Sequence, residues 1–322
     1  MASYDRINYT LRPAKSIERK MLCEAFRKLS YIAEPNEYKY IGFGSPFFSD
    51  FTLVHKTLGI HDMVSIEKEV EDKNRFKFNR PFKCIELLFG NSNDILPQFR
   101  WIKKTILWLD YDYKLDNSML TDVGTFMANA KSGSIILLTM DVTAYELATH
   151  ENKKMNRIVQ FKEKLDKNKI PIGVSEGDMD QLNYPKVCFR IINNEIQEDL
   201  LNRNGGLIDK LCYKQLFNFY YKDGSSPMLT IGGIIYQESD KDKINKCSFD
   251  KLGFTSCNNM LYEPYEIVAP KLTFREMRYL DQNLLIHNPN EKKHCNILSQ
   301  ELINNYRKVY RYFPNFVEAE VH

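Results

Sequence analysis

The chain has 322 residues with a net charge of +3; 27% of its side chains are charged and 43% are hydrophobic. That length can bury a sizeable core, with room for one large domain and an appendage, and the weak net charge demands no nucleic acid as partner. No apolar run approaches the roughly 18 residues of a membrane span, and Met1-Ala2-Ser3-Tyr4-Asp5-Arg6 lacks the apolar core of a signal peptide, so the expectation is a cytoplasmic protein with no membrane partner.

Ser16 stands where an N-cap belongs for a helix through about Leu29, with Ile17, Met21, Leu22 and Ala25 on one apolar stripe. A strand over 38–42 runs into the glycine-pinched turn Gly42-Phe43-Gly44-Ser45. Ser49 then caps a helix carrying Phe51, Val54 and Leu58, which Gly59 ends. The next strand, 63–66, leads onto Glu67. Glycines let a backbone approach a bound cofactor closely, and an acid at the next strand tip accepts hydrogen bonds from ribose hydroxyls.

A charged stretch leads to a strand over 82–89, and Gly90-Asn91-Ser92-Asn93-Asp94 turns into a short helix at Ile95-Leu96. Thr105-Ile106-Leu107-Trp108-Leu109 is the apolar run of a strand buried on both faces, ending on Asp110. A helix from about Asp116 to Ala130 precedes the strand Ser134–Thr139, which ends near Asp141. Strands alternating with helices predict a parallel, right-handed α/β sheet covered on both faces.

Beyond it, 145–169 reads as a long charged helix and 187–192 as a strand. The segments 215–221 and 228–236 read as a hairpin joined by the turn-rich 222–227. Residues 238–259 read as a polar loop. Glu266-Ile267-Val268 is strand-like, and helices capped by Thr273 and Ser299 complete a small winged-helix-like appendage. The expected division is 1–35 as an N-terminal helical cover, 36–237 as the main domain and 238–322 as the appendage.

Seven cysteines are scattered, odd in number and without a C-x-x-C pair, as suits small buried residues in a reducing compartment. Cys247, Cys257, His294 and Cys295 match no usual zinc-ligand spacing.

Five parallel strands followed by a β-hairpin, with acids at the tips of strands two and four, resemble the Rossmann-like S-adenosylmethionine-dependent methyltransferases over about residues 36–236, in particular the small-molecule O-methyltransferases. The resemblance implies a mostly parallel sheet with helices on both faces, a closing antiparallel hairpin and S-adenosylmethionine as cofactor. It implies that Gly42, Gly44 and Ser45 form the cofactor loop, that Glu67 holds the ribose, that Asn91 and Ser92 lie near the base, and that Asp110 stands at the active site. Tyr40 replaces an acid common in that loop, and Pro46 replaces its third glycine. The strand-four tip lacks the Pro-Pro-Tyr that amino-methylating DNA enzymes use on a flipped base.

Metal-dependent catechol-type O-methyltransferases offer a lesser parallel, in which Asp110 and Asp141 would hold magnesium. Val142 occupies the place of that family's third ligand, an asparagine, so the expectation is no metal.

An acid beside the transferring methyl suits a general base. Asp110 is the first candidate and Asp112 the second. In many small-molecule methyltransferases an N-terminal helix covers the active site. Arg12, Lys15 and Arg19 are accordingly candidates to meet an anionic substrate or the cofactor carboxylate, with Tyr113 a further substrate candidate. Arg75-Phe76-Lys77-Phe78-Asn79-Arg80 interleaves basic and aromatic residues as some RNA-binding surfaces do, although two core phenylalanines would explain it as well. The leading expectation is O-methylation of a small or medium-sized substrate. An RNA or protein methyltransferase, or an inactive methyltransferase-like partner or sensor subunit, is the alternative.

Overall fold

The computed structural model describes residues 12–68, 70–150, 153–256, 262–283 and 297–314. Its first element, α1 (Pro13–Arg27), begins ahead of the expected Ser16 cap, with Pro13 in the first turn. The cap comes from far along the chain: the N–H groups of Ala14 and Lys15 donate to the two carboxylate oxygens of Asp223, at 3.0 and 2.9 Å. Two of the amides that a helix start leaves open are thereby satisfied, with a negative charge at the positive end of the helix dipole. Ile17, Met21, Leu22 and Ala25 are buried, as their spacing predicts.

Elements then alternate as β1 (Lys39–Phe43), α2 (Ser49–Leu58), β2 (Asp62–Glu67), α3 (Lys73–Asn79), β3 (Ile85–Phe89), α4 (Ser92–Ile95), β4 (Thr105–Asp110), α5 (Asn117–Asn129) and β5 (Ser134–Asp141). Gly59 ends α2 in the left-handed conformation (φ 68°), but Ser49 is the first helical residue and not the cap; Phe48, at φ 46°, takes that place. Asp116 caps α5 by accepting from Met119 N–H.

Two expectations fail in the middle of the chain. Residues 145–169 hold the small hairpin β6 (Ala148–His150) and β7 (Lys153–Met155), then only a short α6 (Arg157–Lys162) and a 3-10 turn at Lys167–Lys169. The start of α6 is fixed by Glu176, whose carboxylate accepts from Arg157 and Ile158 N–H, a remote partner that local spacing does not reveal. Residues 187–192 are not a strand but lie inside α7 (Tyr184–Asn204), where Val187, Cys188, Ile191, Ile192 and Ile196 are buried. A short apolar window does not separate strand from helix; the longer 3.6-residue spacing does.

β8 (Leu211–Lys222) and β9 (Pro227–Gln237) form the expected hairpin, and β9 runs antiparallel to β5. The segment after it is not merely a loop: it contains α8 (Lys241–Lys246), and Ile244, Cys247, Phe249 and Phe254 enter the main core. β10 (Tyr265–Ile267) pairs in parallel with β8, which makes it the edge strand of the main sheet and not the wing of a separate unit. The sheet reads β10-β8-β9-β5-β4-β1-β2-β3.

α9 (Phe274–Asn283) starts at Thr273, which exchanges hydrogen bonds with Glu276, and α10 (Gln300–Val309) starts at Ser299, which accepts from Leu302 N–H. Tyr312 fastens this end to the domain, its ring edge-on to Phe254 at 5.8 Å and its hydroxyl on Glu24 of α1. Cys257, His294 and Cys295 lie outside the described residues.

Strand side chains alternate between two cores. Tyr40, Ile106, Trp108, Ile135 and Leu137 face the core that includes α1 and α2, whereas Ile41, Leu107, Leu109, Ile136 and Leu138 face that of α5 and α7. No helix among the described residues is long and apolar enough to cross a membrane.

Candidate active site

Strand order reverses between β1 and β4, and at the carboxyl ends of such strands α/β sheets open a crevice. Here it is a cleft of about 740 Å³ whose walls include Gly44, Ser45, Glu67, Asn91, Ser92 and Asp110, with Asp112 and Tyr113 on its rim. Gly42 is not on the wall. It sits in β1 between Ser65 and Trp108, where a Cβ would stand 3.0 Å from the Trp108 carbonyl oxygen; its smallness serves the packing of the sheet.

Glu67 is nearly buried, and its carboxylate accepts from Ser65 Oγ and from the backbone N–H of Gly44. A side chain at Gly44 would collide with both Glu67 and Ser65. Burial pushes the Glu67 carboxyl up to about 8, against the two hydrogen bonds that pull it down. The result is an acid at the tip of β2 that loses its proton near neutrality.

Asp110, at the tip of β4, is met from below by α1. Lys15 Nζ donates to Asp110 Oδ1 at 2.9 Å, pairs with Glu18 Oε2 at 2.8 Å and lies 4.5 Å from the centre of the Trp108 ring. The side chains of Lys15 and Glu18 are wholly shielded from solvent. The polar chain continues beneath them: Thr230 Oγ1 donates to Glu18 Oε1, Thr139 Oγ1 lies 2.8 Å from Thr230 Oγ1, and Trp108 Nε1 donates to Thr139 Oγ1 at 3.0 Å. Burial, ahead of the opposing pull of Lys15, holds the Glu18 carboxyl above the usual carboxylate range.

Arg19, one turn further along α1, reaches the cleft wall and pairs with Asp50 in the first turn of α2. Ser49 lies on the same wall, its hydroxyl buried and without a hydrogen-bond partner among the described residues. Across the cleft, Ser92 Oγ, Tyr111 Oη and Asn93 Nδ2 all donate to the carboxylate of Asp122 on α5, which burial raises. Ser92 is therefore held by its side chain, and Asn91 is the more exposed of the pair.

The remaining candidates separate. Arg12 is near Asp223 at the hairpin turn, its Nε 3.8 Å from the carboxylate, and does not line the cleft. Lys15 is sealed under Asp110 and meets that acid, not a substrate anion. Asp112 is exposed, while Tyr113 packs against Tyr111 at 5.3 Å, with its phenol pushed up to about 12 by burial. Asp141 caps a turn by accepting from Thr143 N–H and is not on the cleft wall, so it is not gathered with Asp110 into a magnesium site.

The sequence profile of a family described as "Putative O-methyltransferase" matches residues 7–321. The chain belongs to that family. It is a methyltransferase. No curated protein matches the chain at a significant level.

Solved structures similar to this methyltransferase include precorrin-6y C5,15-methyltransferase from Geobacter metallireducens, at 10% identity over 65% of this chain and 85% of that one, with a TM-score of 0.33. They also include an amino pentose methyltransferase from Micromonospora echinaspora, at 12% identity over 38% and 48% with a TM-score of 0.28, and spermidine synthase from Thermotoga maritima, at 10% over 78% and 67% with a TM-score of 0.39. Likeness at that level says nothing of this methyltransferase's substrate.

Features of the wall fit an adenosyl cofactor. The bare backbone at Gly44 leaves space beside Glu67, an acid able to accept from ribose hydroxyls, and the Ser49 hydroxyl, unpaired among the described residues, is a donor for a carboxylate. Glu18, Asp50 and Asp122, which hold Lys15, Arg19 and the Ser92–Tyr111–Asn93 donors in place, escaped the sequence reading. Their only signal is an acid within an otherwise apolar helical face: Glu18 sits between Ile17 and Met21, and Asp122 between Leu120 and Val123.

Proposed function

We propose that the enzyme methylates a hydroxyl group of a small or medium-sized substrate, with Asp110 as the group that accepts the hydroxyl proton. The observation that carries this reading is the pairing of Asp110 with Lys15 at the tip of β4, in a cleft that Gly44 and Glu67 also line.

When bound, the cofactor supplies an electrophilic methyl on a sulfonium. Glu67 would accept from the ribose hydroxyls, Asn91 and the backbone around Ser92 would border the base, and Arg19, Asp50 and Ser49 would meet the amino-acid end. Lys15 fixes the Asp110 carboxylate in one orientation, which aligns it with a bound hydroxyl. Such alignment is worth several kcal/mol and up to about 7–11 in the best intramolecular reactions.

An inactive scaffold would be expected to have side chains filling this space, and an open cleft of about 740 Å³ counts against it. The nucleic-acid reading draws some support from α3: Phe76 is core, but Phe78 stands 88% exposed among Arg75, Lys77 and Arg80. RNA binding by that surface would weaken steeply with salt. The five described cysteines are free thiols, which suits a reducing compartment, and we place the enzyme in the cytoplasm.

Calorimetry with S-adenosylhomocysteine tests the core of the proposal. Micromolar binding that Glu67→Ala abolishes is the expected result. Failure of both this product and S-adenosylmethionine to bind the wild-type chain would overturn it. A panel of phenols and hydroxy acids, followed by release of S-adenosylhomocysteine, then identifies the substrate class.

A further inference from the structure

At the other end of the sheet, where β2 and β3 begin, His55, His61 and Cys84 converge, and their ligand atoms all lie within 4.8 Å of one another. His55 is in the last turn of α2, and the left-handed Gly59 folds the chain so that His61 returns against it, ring centres 4.9 Å apart. Cys84 comes from the turn just before β3, its Sγ 3.9 Å from His55 Nδ1. None of the three lines the catalytic cleft.

We infer that this trio is a binding site for a zinc-type divalent metal ion. His55 Nδ1 lies 2.8 Å from the carbonyl oxygen of Ile60. A carbonyl only accepts, so Nδ1 carries the proton and Nε2 is left with its lone pair available. A metal-bound histidine commonly has this arrangement, its second nitrogen donating to a backbone carbonyl that fixes tautomer and ring orientation.

Two imidazoles and a thiolate form a donor set that favours zinc over magnesium or calcium. Bond lengths of about 2.0–2.1 Å to nitrogen and 2.3 Å to sulfur put tetrahedral ligand atoms roughly 3.3–3.8 Å apart, so groups now within 4.8 Å of one another would draw closer around an ion. His61 is exposed and free to make that shift. Phe82, 4.2 Å from the His55 ring, gives the site an apolar side. Three protein ligands leave the fourth position to water. A metal here would tie the end of α2 to the start of β3, away from methyl transfer. Binding expels the thiol proton of Cys84 and places its sulfur lone pair on the metal, with no redox change.

The test is titration of the full-length protein with Co²⁺, then Zn²⁺. One equivalent of Co²⁺ should give a thiolate-to-cobalt charge-transfer band, which Zn²⁺ removes by displacement. Cys84→Ser should abolish the band, and His61→Asn, at an exposed position that leaves folding intact, should weaken binding roughly 100-fold. Absence of a band in the wild-type protein, or a band that survives Cys84→Ser, would overturn the assignment. Methyltransferase assays play no part in either outcome.

Discussion

Lys15 Nζ stands 2.9 Å from Asp110 Oδ1 while holding Glu18 at 2.8 Å, so one sealed ammonium joins α1 to the tip of β4. Removing one partner of a buried ion pair strands the other, at a cost of about 3–5 kcal/mol, whereas replacing the pair by apolar groups is often neutral. Lys15→Met should therefore lower the stability read by urea unfolding by that amount. Lys15→Met/Glu18→Met should recover most of it. Equal loss in the single and double variants would show that Lys15 and Glu18 are not coupled.

Asp110→Asn keeps the shape of the side chain and removes its basicity. We expect kcat to fall by about 10²–10⁴-fold, as for the loss of a general base, with affinity for S-adenosylhomocysteine changed little. A variant that retains wild-type kcat would exclude the role. Asp112→Asn, at the exposed neighbour, is the comparison and should be nearly neutral.

With Glu67 proposed to hold the ribose, cofactor binding is expected to depend on pH. In the free protein its carboxyl titrates near 8, against a usual 4.5, and ribose hydroxyls bind best to the ionised form. Affinity for S-adenosylhomocysteine should rise with pH up to about 8, by no more than tenfold per unit, with uptake of one proton by the buffer on binding. The ligand-free fold has the opposite trend. A raised native pKa means that the folded chain holds its proton more tightly than the unfolded chain, so stability is lost as pH rises from about 4.5 to about 8. Both slopes should vanish in Glu67→Gln.

At Gly44 the expectation is steric. A methyl group would press on Glu67 and Ser65, so Gly44→Ala should cost about 1–3 kcal/mol as overpacking does. Calorimetry should find cofactor binding lost as Glu67 is displaced. Gly42→Ala would instead strain the sheet against Trp108, with the cleft wall unchanged.

The sequence disclosed what depends on neighbours along the chain. Apolar runs marked β1, β4 and β5, and Asp116, Gly59, Thr273 and Ser299 marked helix ends. The glycine turn, Glu67, Asn91 and Asp110 also met at one cleft, because the tips of parallel strands converge whatever the connecting helices do. What escaped was set by distant partners. Asp223 supplants Ser16 at the start of α1, Glu176 fixes α6, and β10 joins the sheet through β8. Arg12 just before α1 and Lys15 and Arg19 within it have three separate fates, because Asp223, Asp110 and Asp50 each claim one of them.

Asp223 itself offers a further check. Its carboxylate satisfies two amides at the start of α1, and Asp223→Ala should cost about 1 kcal/mol, at most about 2, in urea unfolding. Asp223→Asn should keep most of that stability.

The same cap has a consequence for how the protein is made. The bond from Ala14 to Asp223 spans 209 residues, and Thr230, which hydrogen-bonds Glu18, lies still later in the chain. At about 5–20 residues per second, on the order of ten to forty seconds of translation separate the emergence of α1 from that of its cap. A 15-residue helix is marginal alone in water. α1 thus emerges well before the segments that seat it, and Lys15 is fixed under the tip of β4 only when the β8–β9 hairpin has arrived. Partly synthesised chains accordingly lack a finished active site.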